Sequence, residues 1–410
     1  MMIALFAMIA FVTNLCSPMA TIVKNQFGAS ETAGQIGNYA NFIAYLLMGI
    51  PSGMLITKIG YKKTALAALI VGIVGLAIEY LSGQMGGDSA YWIYLLGAFI
   101  SGMCMCMLTA VVNPLLNLLG GGGKKGNQLI QIGGAFNSAA AVAVYILMGA
   151  LIGEVTKDTA ISDATPALAI AGGIFVIAFI VLLFTRIEEP EQAPVQMSLV
   201  TGALKFRHFA LGALAIFLYM SVEVGTPTYM ISYLQTPEIG VGAGVAALIA
   251  SVYWLMMFVG RSVGGAIGNK VSSRTMVTVT AAAAIVLLLF GIFAPADIKV
   301  SVPGIDWGNL SMIWTPVPVG VFAFILVGLC TSVMWGGIFN MAVEGLGKYT
   351  AAASGIFMTM VFGCAVMVAL QALVADQASI LSSYWIPVAC AAYILFYALV
   401  GSKPSKKAEE

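Results

Sequence analysis

The sequence predicts an all-α integral membrane fold of twelve spanning helices, arranged as two pseudo-symmetric six-helix bundles. Three observations predict it. The 410 residues are 60% hydrophobic and 9% charged, with a mean hydropathy of +1.00, whereas a soluble domain carries about 25% charged residues. Twelve apolar runs reach the roughly 20 residues that a spanning helix needs. The longest polar connection lies near the middle of the chain, with six runs on either side.

In chain order the runs are 3–24, 33–57, 64–84, 91–118, 128–152, 166–185, 209–234, 242–268, 275–295, 317–343, 352–376 and 381–401. The first has no basic segment before it and no small-residue cleavage pattern, so it reads as a spanning helix and not as a leader. Residues 1–185 then form an N-terminal bundle, 186–208 a linker rich in Glu and Pro, 209–401 a C-terminal bundle and 402–410 a tail. Placing the N-terminus inside puts fifteen Lys and Arg in inner loops and ends, and leaves only Lys24, Lys157 and Lys299 outside. Cations favour the cytoplasmic side, so both termini are expected there.

Other classes are disfavoured by what is missing. With 18 Lys and Arg against 17 Asp and Glu, there is no basic patch for nucleic acid. The single histidine, His208, falls in the central connection, so no Ser/His, Cys/His or metal constellation can form within the spans. No phosphate-binding loop is present for ATP-driven pumping. The six cysteines lie in apolar runs without metal-ligand spacing and read as small apolar residues. The chain is therefore expected to be neither an enzyme nor a cofactor carrier.

A short motif recurs between the halves. Gly53-Met-Leu-Ile-Thr-Lys58-Ile-Gly60-Tyr-Lys62-Lys63 follows the second run, and Gly265-Ala-Ile-Gly-Asn269-Lys270-Val-Ser-Ser-Arg274 follows the eighth. Glycines permit a tight turn and close helix contact, and the cations can cap helix ends. Gly53, Lys58, Gly60, Lys62, Arg261, Asn269 and Lys270 are thus candidates for a loop motif acting in conformational change, with Arg261 read as lying toward the inner end of its helix. Here the chain resembles the major facilitator superfamily, whose signature between helices 2 and 3 is Gly-x-x-x-Asp-Arg-x-Gly-Arg-Lys. Thr57 stands at the aspartate position.

Further patches resemble the sugar-symporter branch that includes bacterial L-fucose–proton and glucose/galactose transporters. They are Ile50-Pro51-Ser-Gly53, Asn113-Pro114 through Gly120, Gly134-Ala-Phe136-Asn137-Ser138, Tyr219 through Gly225, Tyr253-Trp254 leading to Gly260-Arg261, and Ile338-Phe339-Asn340 through Gly347. The resemblance implies a monosaccharide substrate, import, and a monomer in a bacterial inner membrane. Fucose-type relatives carry acids in helices 1 and 4, where this chain has Ser17 and Thr109. Their mode of coupling is therefore not inherited, and the ion stays open between proton and sodium.

Glu223 is the only acid near the middle of a span, and an intramembrane acid is costly enough to signal function. It is the candidate for coupling or for substrate hydroxyls. Glu79, Glu344 and Asp376 read as interfacial. Asn14, Asn38, Asn41, Gln131, Asn137 and Asn340 supply amides for sugar hydroxyls, and Tyr219, Trp254 and Trp335 supply aromatic faces. Each could instead bridge helices or pack. No Lys or Arg is placed at mid-depth, which disfavours anionic substrates.

Overall fold

The computed structural model describes residues 2–27, 36–85, 88–119, 123–152, 159–187, 197–268, 270–306 and 311–404. Cys16, Ser17 and Asn38 lie in helices, but their side chains, like the whole of Asn269, fall outside the described set.

The apolar runs fold into helices α1 (Met2–Phe27), α2 (Ile36–Ile59), α3 (Tyr61–Gly83), α4 (Asp88–Leu119), α5 (Gly123–Ile152) and α6 (Thr165–Phe184) in the first half. The second half holds α7 (Arg207–Leu234), α8 (Ala243–Ile267), α9 (Ser273–Phe293), α10 (Val319–Val343), α11 (Ala352–Gln377) and α12 (Ile380–Gly401). Among the described residues eleven helices are long and apolar enough to cross a membrane, and α1 adds a 26-residue apolar helix. Lipid-like surface is what their outer faces offer: Ile177, Phe184, Val286, Phe293 and Leu399 are exposed.

Within each half, glycines let backbones meet. A Cβ at Gly102 of α4 would strike the Asn41 backbone of α2, and one at Gly363 of α11 would strike Phe217 of α7. Between halves, Gly49 and Gly53 of α2 face Thr359 and Gly355 of α11, while Gln131 of α5 lies against Gly265 of α8. Small side chains replace the hydrophobic drive that lipid cannot supply.

Two helices are interrupted where chemistry collects. In α7 the segment Ser221–Gly225 is a π-turn. Pro227 has no N–H and opposes the carbonyl of Glu223, four residues back, so regular α-helix cannot pass through. In α10 the helix Val319–Thr331 stops and restarts at Met334. The carbonyls at that break are used elsewhere: Thr331 O accepts from Tyr219 and Ser332 O from Arg261.

The structure adds detail at three places. One antiparallel hairpin, β1 (Lys299–Asp306) and β2 (Ser311–Pro318), joins α9 to α10 in the otherwise helical fold. Val300, Val302, Ile313, Thr315 and Val317 alternate along it, a period of two that suits a strand with one face packed. Gly304 on that face meets Val245 of α8. The linker carries a seven-residue helix, Met197–Ala203, and His208 lies beyond it, buried at the start of α7 with Nε2 2.8 Å from the Glu344 carbonyl. Glu79, near the end of α3, is 7% exposed and accepts a 2.7 Å hydrogen bond from Ser101 between α3 and α4.

Candidate functional site

The polar residues of the spans converge on a cavity of about 150 Å³ between the halves. That volume holds on the order of ten water-sized groups. From the first half α1 contributes Phe6, Thr13 and Asn14, α2 Phe42 and Tyr45, α4 Thr109 and Asn113, and α5 Gln131, Gly134 and Asn137. From the second half come Met220, Glu223 and Val224 of α7, Trp254 and Arg261 of α8, Ser332, Trp335 and Gly336 of α10, and Val361 of α11.

Arg261 is the electrostatic centre, and its position corrects the sequence reading. It lies six residues from the end of α8, but its guanidinium turns inward and the residue is 9% exposed. Small neighbours make the room: Gly260 packs on Ser332 and Gly264 on Val333, at the break in α10. Its NH2 meets Glu223 Oε1 at 3.3 Å. Its NH1 donates to Gly134 O at 2.8 Å, Ser138 Oγ at 2.9 Å and Asn137 Oδ1 at 3.4 Å, all on α5. Nε donates to Ser332 O at 3.4 Å. One side chain therefore joins α7, α10 and α5, and so joins the two halves. The expected lack of a cation at mid-depth fails here, but Glu223 balances the charge and leaves the cavity neutral. Buried opposite charges persist only when paired and hydrogen-bonded in this way.

Of the ten proposed substrate ligands, Asn14, Gln131, Asn137, Glu223, Trp254 and Trp335 line this cavity. Asn137 also donates to Phe6 O at 2.8 Å, tying α5 to α1, and Asn14 donates back to Ala10 O. Trp335 stacks on Phe339 at 5.7 Å, and Trp254 meets Tyr253 edge-on. Tyr219, Asn41 and Asn340 are not among the lining residues. Tyr219 is buried and bonds to Thr331 O at 3.2 Å, bracing α10; Asn41 is fully buried where α2 crosses α4. Thr13, Tyr45, Thr109 and Asn113 line the cavity without having been proposed as ligands. Asn113 lies beside Pro114 in one of the patches that resemble the sugar symporters, and that neighbourhood is its sequence signal.

The loop motif has a clear local geometry. Gly60 adopts φ 87° and alone separates α2 from α3, a conformation that favours glycine. Lys62 donates to Leu183 O at 2.9 Å, capping the end of α6, and Lys58 lies in the last turn of α2. Lys270 is exposed after α8. Among the described residues no three His, Cys, Asp or Glu side chains are grouped to hold a metal, and the five described cysteines are buried free thiols.

Two helical halves closing on a central polar cavity define a multi-pass membrane transporter. The chain matches the model of the Major Facilitator Superfamily over residues 1–369, and it belongs to that family. It is similar to a glucose/galactose transporter of Brucella abortus, 27% identical over 406 residues that cover 97% of this chain and 92% of the relative. It is similar also to the L-fucose-proton symporter of Escherichia coli, 21% identical over 96% of this chain and 91% of that one. The outward-conformation crystal structure of FucP superposes with a TM-score of 0.73 at 21% identity, covering 97% of each chain. The nucleoside transporter NupG gives 0.62 at 15% identity. Such likeness shows the fold alone.

Proposed function

We propose that the chain is a secondary transporter that carries a neutral, hydroxyl-rich solute of monosaccharide size by alternating access, with Glu223 coupling movement to an ion. The observation that carries this reading is the neutral Glu223–Arg261 pair within a cavity of amides and indoles drawn from both halves. Amides and carboxylates pair with sugar hydroxyls, and indole faces suit the apolar face of a sugar ring. The names of the glucose/galactose and L-fucose relatives support the same substrate class. Anions find no unpaired cation in the cavity, because Arg261 already serves five acceptors.

Glu223 suits coupling because it sits at a helix break beside Arg261, whose side chain bridges the halves. A proton or a sodium ion is consistent with that place. The N-terminal bundle (1–185), linker (186–208) and C-terminal bundle (209–401) are proposed as the moving parts, with both ends cytoplasmic in a bacterial inner membrane and the chain monomeric. A second reading, an uncoupled facilitator or a solute sensor, is favoured by one observation: Thr109, where fucose-type relatives carry an acid, lines the cavity as a neutral hydroxyl.

Proteoliposome uptake of glucose, galactose and fucose under imposed proton or sodium gradients separates the readings. Glu223→Gln is expected to abolish accumulation while exchange or binding partly survives. Accumulation unchanged in that variant would sink the coupling role, and uptake indifferent to every gradient would leave the facilitator. If no member of the panel binds or moves, the sugar assignment falls.

A further inference from the structure

Two cavity residues carry an unmet hydrogen-bonding need, one from each half. Asn113 of α4 is 2% exposed; its Nδ2 donates to Thr109 O at 3.2 Å, but its Oδ1 has no partner. Trp254 of α8 is 8% exposed, and its indole Nε1 has no partner either. A buried polar atom left unpaired is costly, so each is stabilised by whatever group arrives to complete it. The two needs are opposite in kind. Asn113 Oδ1 can only accept a hydrogen, and the Trp254 N–H can only donate one.

We infer that Asn113 and Trp254 together select the hydroxyls of the transported solute, Asn113 accepting from one and Trp254 donating to one, so that a single ligand completes both halves. This rests on the reading of the cavity as a solute site, and it narrows the class. A carboxylate cannot satisfy Asn113 Oδ1, and an ammonium cannot satisfy Trp254. Hydroxyls do both, and the full charges among the described lining residues, on Glu223 and Arg261, are spent on one another. Asn113 thereby becomes a specificity-determining residue, although it contributes no charge and makes only a bond within its own helix. A solute held between α4 and α8 also rewards the approach of the halves. A ligand lacking one of the two hydroxyls forfeits part of that reward.

The test pairs variants with analogues. Binding of glucose, galactose and fucose, and of their singly deoxygenated and deoxyfluorinated forms, is measured on purified wild type, Asn113→Ala, Asn113→Asp and Trp254→Phe, with melting curves to confirm folding. For the best parent sugar, Asn113→Ala is expected to weaken binding roughly 5- to 100-fold. For one deoxy analogue the same substitution should cost less than about 2-fold, because the partner hydroxyl is already gone. Asn113→Asp keeps an acceptor and should restore part of the loss. Trp254→Phe should behave likewise toward a different hydroxyl. Equal losses across all analogues, or no loss for the parent sugar, would overturn the assignment while leaving the sugar reading intact. No binding by wild type would instead defeat the sugar reading and this assignment with it.

Discussion

At Arg261 the expense of burying charge dictates the whole arrangement around it. A guanidinium keeps its charge in every protein environment, whereas a carboxyl deprived of its cation can take up a proton. Deleting the two partners is therefore unequal. Glu223→Gln strands a permanent buried cation, a loss on the order of 3–5 kcal/mol when a buried pair is broken, moderated here by the α5 and α10 acceptors. Arg261→Gln leaves a carboxyl that can neutralise itself. Melting of the purified variants should rank Glu223→Gln below Arg261→Gln, with the double variant more stable than Glu223→Gln alone. Additive losses in the double variant would mean that the pair is not energetically coupled. Glu223 was legible in the sequence because an acid in an apolar run is conspicuous. Arg261 was misjudged for a related reason: counting residues from a helix end ignores how far a long side chain can turn inward when Gly260 and Gly264 clear its path.

At the scale of elements, spans were legible because hydropathy has a fixed length to match, and the Gly60 turn was legible because the motif names it. Interruptions were harder. Pro227 disturbs α7, but the residues that absorb the disturbance, Ser221–Gly225, precede it. The break in α10 falls at Ser332-Val333, with neither glycine nor proline to mark it, and only its tertiary partners Tyr219 and Arg261 explain it. The hairpin had a period-two signature that apolar-run counting overlooks. The same elements predict which glycines matter. A Cβ at Gly102 meets the Asn41 backbone, while at Gly172 it meets nothing within 4 Å. Gly102→Leu should abolish recovery of monodisperse protein. Gly172→Ala should be neutral or stabilising by up to about 1 kcal/mol, from helix propensity. Size-exclusion profiles and melting curves read both, and equal tolerance would refute the close α2–α4 crossing.

Across the whole molecule, the halves meet along α2–α11 and α5–α8 through contacts of two kinds. Gly49, Gly53, Gly355 and Thr359 form an apolar, small-residue seam that can part without breaking strong bonds, whereas Arg261 and α5 form a polar clasp that cannot. The alternating access proposed above requires both to separate in turn, so on that reading a covalent link at the seam should arrest the cycle without touching the cavity. A Cβ at Gly53 would lie 4.0 Å from the Gly355 Cα, which puts the two Cα atoms within the span a disulfide bridges. Gly53→Cys combined with Gly355→Cys should crosslink under mild oxidation. Solute uptake in proteoliposomes should then drop at least tenfold and return on reduction, while either single variant stays insensitive to oxidant. Because the five described native cysteines are buried, a gel shift confined to the double variant reports the new bond. Crosslinked protein that transports at the reduced rate of turnover would show that the seam stays closed throughout, and would place the moving boundary somewhere other than between α2 and α11.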